Sequence, residues 1–257
     1  MSDSGTDGSL ADRALMDALG AVYDPGSAHL LDLIGVSPGW ACLELGAGAG
    51  GVARMLAARS APGGRVVATD LVGRSNEAAA NVEWWAHDIL AEPLPSAEFD
   101  FVHCRFLLMH LPGRLGALAK MADGVRPGGW LLLEESDGAS ITPAREDANG
   151  ALFRRCDTAL RRAGALSGTD FLYGRRLYAD IQSLGLEEIG TEARALPATP
   201  ALRRLMLLTV EAWASRLVAT RIVSAPEVEQ LSRLLADPSF HFAGPLCVAA
   251  WARAPLS

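Results

Sequence analysis

Nine residues, Leu43-Glu44-Leu45-Gly46-Ala47-Gly48-Ala49-Gly50-Gly51, constrain this chain more than any other segment. An apolar run leads into four glycines and then into a stretch with helical spacing. Glycine is needed where the chain must turn sharply and let a ligand approach its backbone with no Cβ in the way. The helix that follows offers free N–H groups at its first turn. Strand, glycine-rich turn and helix in this order predict a cofactor loop of nucleotide type. Gly46, Gly48 and Gly51 also satisfy G-x-G-x-x-G, the dinucleotide fingerprint, so an NAD(P)-dependent oxidoreductase stands as one reading of the loop alone.

Around the loop, short apolar runs alternate with helical stretches, the pattern of a parallel sheet with crossover helices. Strands are predicted at 41–45, 65–70, 82–87, 99–104 and 130–135, with two more at 186–194 and 245–253. Helices are predicted at about 50–60, within 73–80, and at 115–125, the last ended by Arg126-Pro127-Gly128-Gly129. Helical spacing also covers 9–36, where Pro25 and Gly26 predict a break into two helices, and 143–163, 174–184, 201–220 and 225–236. A domain averages about 100–200 residues. The chain of 257 residues is therefore expected to be one large domain with an appended cap. The expected division is N-terminal helices at 1–39 as part of the cap, a cofactor domain at 40–200 and 240–257, and a helical insert or lid at 201–239.

Three acidic positions narrow the ligand. Glu44 lies two residues before Gly46, where a carboxylate suits a cationic ligand and would repel a pyrophosphate. Asp70 closes the next predicted strand, where an acid accepts from ribose hydroxyls, a feature shared by both cofactor types. The third strand ends in Ala86-His87-Asp88-Ile89, which supplies a further carboxylate and an apolar residue to cover a ring.

With these residues in view, residues 40–136 resemble the class I S-adenosylmethionine-dependent methyltransferases. The resemblance rests on the E-x-G-x-G-x-G loop, Ala68-Thr69-Asp70-Leu71, His87-Asp88-Ile89, the segment from Glu98 to Arg105, and Arg126-Pro127-Gly128-Gly129 before Trp130-Leu131-Leu132-Leu133-Glu134-Glu135. The rest of the chain looks like bacterial small-molecule methyltransferases of secondary-metabolite type. This implies a Rossmann-like seven-stranded, mostly parallel sheet with an antiparallel last strand, carrying N-terminal helices and a helical cap. It also implies S-adenosyl-L-methionine as cofactor. By the same resemblance Glu44 and the backbone of Gly46, Ala47, Gly48 and Gly50 would hold the methionine end. Asp70 would bind the ribose and Leu71 would pack on the adenine. His87, Asp88 and Ile89 would surround the adenine amino group, and His103, Cys104 and Arg105 would contact the methionine end near the sulfur. The short stretch between Leu71 and Asn81 departs from the family pattern and would leave the adenine side more open.

Methyl transfer is an in-line displacement, so alignment and desolvation supply much of the acceleration. A base helps only where the nucleophile still carries a proton. His103, at the end of the fourth predicted strand, is the first candidate for base or acceptor contact. Glu135 is a second, as base or as the group that orients one, and His241 a third. His110 reads as structural, and Tyr23 as a residue able to close over the cofactor. The apolar helical stretch 201–236 reads as a lid over a small, apolar or aromatic acceptor. A protein that keeps the cofactor pocket but serves as a cyclase or scaffold is the alternative from another class.

Composition removes other classes. A formal net charge of -7, with 23 basic residues dispersed along amphipathic stretches, argues against a nucleic-acid binder. No window approaches the ~20 apolar residues of a membrane span, and the polar N-terminus has no basic leader, so a soluble cytoplasmic protein is expected. Cys42, Cys104, Cys156 and Cys247 are too dispersed for zinc-finger spacing, which predicts buried thiols and no metal site. A small-molecule acceptor is the expected partner, and a homodimer is compatible with the chain. Lys120 is the sole lysine while Ala, Gly and Arg abound, which looks like the codon bias of a GC-rich bacterial genome.

Overall fold

Apolar runs set the sheet. In the computed structural model, which describes residues 4–71 and 80–256 with side chains from residue 13 onward, Cys42, Leu43 and Leu45 are buried. Val66, Val67 and Ala68 are buried beside them, as are Phe99, Phe101 and Val102. Strands buried on both faces belong in the middle of a parallel sheet covered by helices. The strands are β1 (Ala41–Leu45), β2 (Arg65–Asp70), β3 (Val82–Ala86), β4 (Phe99–Arg105), β5 (Val125–Asp137), β6 (Glu187–Arg194) and β7 (Leu246–Arg253). They form one sheet in the order β3-β2-β1-β4-β5-β7-β6, mostly parallel with one antiparallel strand. The order reverses direction between β1 and β4, and ligands of open α/β sheets bind outside the strand ends at such a reversal.

The helices are α1 (Ser4–Ile34), α2 (Gly51–Ser60), α3 (Arg114–Gly124), α4 (Ala148–Leu166), α5 (Leu177–Gln182), α6 (Pro200–Ala219) and α7 (Ala225–Ala236). On one sheet face Leu30 and Leu31 of α1 and Val52, Leu56 and Ala57 of α2 pack against Cys42, Val66, Ala68, Phe101 and Leu132. The predicted break at Pro25 does not occur: α1 runs through it as one helix. Proline removes one helical hydrogen bond. Here Tyr23, Leu30 and Leu31 are buried, and Asp24 and Ser27 bond to the sheet, so tertiary contacts outweigh the local penalty. The helix expected at 143–163 starts later, because Thr142–Pro143 pairs with Phe242–Ala243 and the Asp147 carboxylate accepts from Gly150 N–H to cap α4 at 2.9 Å. The helix expected within 73–80 lies outside the described residues.

The chain divides into two compact units. One comprises 24–136, 173–193 and 248–257 and holds most of the sheet. The other comprises 1–23, 137–172 and 194–247. The insert expected at 201–239 is thus part of a larger helical unit that also contains α4. Phe153 of α4 packs against Phe240 and Phe242, Arg155 pairs with Glu227 of α7, and Phe171 meets Trp213 of α6 edge-on. No described helix is long and apolar enough to cross a membrane. All four cysteines are buried and none of them forms a disulfide among the described residues.

Within the helical unit, the buried Arg203 of α6 acts as a clamp. It donates to the carbonyls of Ala198, Leu235 and Asp237 at 3.2, 3.2 and 2.9 Å and to that of Phe240, with its guanidinium over the Phe242 ring. An Arg203→Met variant leaves these carbonyls without their donor, a loss of about 1–3 kcal/mol. Urea unfolding is expected to report that loss, and hydrogen exchange to quicken in residues 235–242.

Candidate active site

Strand register builds the site. Cys42, Phe101 and Leu132 all belong to the apolar face covered by α1 and α2. Side chains alternate along a strand, so Glu44, His103 and Glu134, two residues further on, face the same way at the strand ends. Glu44 is the register partner of His103, and Arg105 that of Glu134. All three of Glu44, His103 and Glu134 are buried, at 2%, 0% and 0% exposure.

Buried charges must be paired. His103 Nδ1 lies 2.5 Å from Glu44 Oε2, and its Nε2 lies 3.2 Å from Glu134 Oε1. Ser27 of α1 donates to Glu134 Oε1 at 2.5 Å. Arg105 donates to Ser27 Oγ at 2.7 Å and forms an ion pair with Asp24 at 2.8 Å. Burial opposes the charge on His103, but the flanking Glu44 and Glu134 outweigh it and push the imidazole up to about 9. Burial raises Glu44 despite His103 beside it, while for Glu134 the bonds from His103 and Ser27 overcome burial and lower it. Three carboxylates here face one imidazolium and one guanidinium.

The loop after β1 supplies the second part. Gly48 and Gly50 have φ of +54° and +76°, where a side chain is strained. A Cβ at Gly50 would also come within 2.9 Å of the Trp84 ring. Ala47 N–H bonds the Thr69 carbonyl at 2.8 Å, and Gly48 N–H bonds Asp70 Oδ2 at 2.9 Å. One Asp70 oxygen thus holds the loop. Leu71 beside it is 72% exposed, a large apolar side chain open to a flat ring.

Beyond β3, His87 Nε2 meets the Pro93 carbonyl at 3.2 Å, and Asp88 Oδ1 accepts from Leu90 N–H at 2.9 Å. Ile89 is buried rather than presented at the surface. Lys120 of α3 ties this loop down, donating to the carbonyls of Ile89 and Glu92 at 2.7 and 2.8 Å. Cys104 is buried, and burial with Glu135, Glu44 and Glu134 nearby holds its thiol well above the ordinary range.

The other two predicted catalytic residues stand apart from this cluster. Glu135 Oε1 accepts from the N–H groups of Leu108 and Met109 at 2.8 and 3.3 Å, so it caps the turn after β4. Its Oε2 is buried with no hydrogen-bond partner among the described residues. His241 is exposed in the helical unit, where its carbonyl accepts from Ala144 N–H. His110 sits in the turn Leu108–His110, and burial lowers its pKa. Tyr23 is buried in α1.

Sequence reasoning did not find Asp24, Ser27 or Lys120. One signal was available for Ser27: it interrupts the buried helical stripe Tyr23, Leu30, Leu31, and a hydroxyl on such a stripe needs a buried partner. Lys120 and Asp24 carry no comparable mark, because their partners are distant in sequence and are met only after folding.

A glycine turn at the sheet's reversal point, with Glu44 near the end of β1 and Asp70 at the end of β2, defines a Rossmann-like protein of nucleoside-cofactor type. Residues 43–133 match the family model described as a methyltransferase domain. The chain is 32% identical over 192 residues to Methyltransferase str2 of Strobilurus tenacellus, covering 71% of this chain and 68% of that relative. It is 33% identical over 115 residues to the ubiquinone/menaquinone biosynthesis C-methyltransferase UbiE of Ectopseudomonas mendocina (strain ymp), over 41% of this chain and 45% of that one. Among solved structures, phosphoethanolamine N-methyltransferase 2 of Haemonchus contortus, in complex with phosphomonomethylethanolamine and S-adenosylhomocysteine, shares the fold with a TM-score of 0.56 and 17% identity, covering 91% of this chain and 53% of that one. The chain belongs to the class I S-adenosylmethionine-dependent methyltransferases, and S-adenosylmethionine is its cofactor.

Glu135 offers a test of the site's electrostatics. Burial pushes its carboxyl up to about 8, against bonds from the Met109 and Leu108 N–H groups that pull it down. A carboxyl raised in the folded state contributes stability that is full below its unfolded value near 4.5 and is lost as pH rises through about 8. Glu135→Gln keeps the acceptor for Leu108 and Met109 and removes the titration. Thermal melts from pH 5 to 9 are expected to show the variant gaining on wild type by several degrees up to about pH 8 and holding a constant lead above it.

Proposed function

We propose that the protein transfers the methyl group of S-adenosylmethionine to a small, apolar or aromatic metabolite, in the manner of secondary-metabolite methyltransferases. The observation that carries the cofactor half of this reading is the loop 46–50 between two carboxylates, Glu44 buried beneath it and Asp70 bonded to its Gly48 N–H. Glu44 would receive the ammonium of the methionine end, and Asp70 would accept from the ribose hydroxyls. Leu71 would cover the adenine, and the Asp88–Ile89 loop, anchored by Lys120, would border it. The cofactor supplies an activated methyl group on a sulfonium. The chain's part is to hold that group in line with an acceptor and to keep water away, which accounts for much of the acceleration in such displacements.

The acceptor class is supported by the similarity to a methyltransferase named for quinone biosynthesis, whose name describes methylation at carbon. A phenol or hydroquinone ring would meet both terms of the proposal. Incubation with methyl-labelled S-adenosylmethionine and a panel of phenols, quinols, peptides and nucleic acids tests it. Label is expected in the organic-extractable phenol or quinol fraction. Label confined to peptide or nucleic acid, or in no fraction, would contradict the acceptor class.

Two substitutions test the cofactor half. Gly48→Val forces a β-branched residue into positive φ, and Asp70→Ala removes the acceptor for both the loop and the ribose. Each is expected to weaken S-adenosylmethionine binding about tenfold or more, the equivalent of roughly 1.4 kcal/mol or more, while circular dichroism stays that of the wild type. Unchanged affinity in both would remove the loop from the cofactor site.

A further inference from the structure

His103 deserves a role of its own, because its geometry separates two jobs that its position alone would allow. The ring lies at 0% exposure between two carboxylates, one at each nitrogen. Ionised carboxylates only accept hydrogen bonds, so an imidazole serving both must carry a proton on each nitrogen. Both ring nitrogens are then occupied by N–H, which leaves no lone pair to take a proton from an acceptor or to bind a metal. Among the described residues no cluster suited to holding a metal ion is found.

The groups facing the ring come from four elements. Glu44 stands on β1 and Glu134 on β5. Arg105 follows on β4, and Ser27 and Asp24 on α1 close the network. Phe101 lies parallel to the imidazole with ring centroids 6.1 Å apart and fills the space on its own strand. Removing His103 would leave Glu44 and Glu134 as buried like charges with no cation between them. Glu44 would then turn, take up a proton or draw in water. Its usefulness to an incoming ammonium depends on doing none of these.

We propose that His103 is a positioning residue. Held as an imidazolium between Glu44 and Glu134, it fixes the Glu44 carboxylate for the methionine ammonium and takes no proton from the acceptor. This rests on the assignment of Glu44 to the cofactor made above.

The test compares two ligands by calorimetry on wild type and His103→Gln. S-adenosylmethionine carries the amino-acid end, and 5′-methylthioadenosine has the same nucleoside but lacks that end. The variant is expected to bind S-adenosylmethionine at least tenfold more weakly, a loss of roughly 1.4 kcal/mol or more, and methylthioadenosine within about twofold of wild type. Equal losses for both ligands would mark His103 as merely structural, and no loss for either would leave Glu44 independent of it; either overturns the proposal. Failure of wild type to bind S-adenosylmethionine would instead overturn the cofactor assignment. A second measurement does not need the variant to fold. Nitrogen-15 spectra of histidine-labelled wild type at pH 8 are expected to show one imidazole of the five with both ring N–H groups retained and exchanging slowly. Five imidazoles each lacking a ring proton at that pH would overturn the imidazolium.

Discussion

The ion cluster at the ends of β1, β4 and β5 is the constraint on which the rest of the site depends. Two glutamates and a histidine are placed in the sheet's interior by strand register, and none of the three can face water. Moving such groups out of water is costly unless each is paired, and breaking a buried pair by removing one partner costs about 3–5 kcal/mol. The pairing cannot be completed from the sheet alone. It requires a hydroxyl and a carboxylate from α1, Ser27 and Asp24, bridged by Arg105. This explains why a helix that contains Pro25 still runs through to Ile34: the residues just before and after the proline are the ones that complete the cluster.

The same economy of partners shapes the nucleoside side. The Asp70 carboxylate accepts from Gly48 N–H, so the loop's conformation and its acidic neighbour are one unit. Trp84 on β3 closes against Gly50, so that a glycine there serves both the turn and the packing. The loop after β3 is held by the single lysine of the chain, whose ammonium donates to three of its carbonyls. Lysine occurs once in this chain, and the carbonyls of Ile89, Leu90 and Glu92 explain what this one does.

Much of this was legible in the sequence, for a physical reason. Strands β1, β2 and β4 are short apolar runs punctuated by glycine or acid, and helical spacing marked α7 from residue 225 to 236. The glycine turn and the acids at 44 and 70 are local marks, set by backbone conformation and strand ends. What stayed hidden is long-range. The pairing of His103 with Glu44 spans 59 positions and that of Ser27 with Glu134 spans 107. A histidine at a strand end reads as a base until its two neighbours are seen. The grouping of α4 with α6 and α7 was equally invisible, because it rests on pairs distant in sequence, Arg155 with Glu227 of α7 and Phe171 with Trp213 of α6, that no local pattern announces.

On the proposed reading, Glu44 in the buried cluster receives the ammonium of S-adenosylmethionine. A crystal structure of the protein with S-adenosylhomocysteine tests it most directly, since that molecule keeps the amino-acid end and the nucleoside. The account expects the ligand's amino group at hydrogen-bonding distance from Glu44, its ribose hydroxyls on Asp70 and its adenine against Leu71, with Glu44 still bonded to His103. A ligand bound in the reverse sense, or one whose amino group lies away from Glu44 while the Glu44–His103–Glu134 cluster is undisturbed, would contradict it.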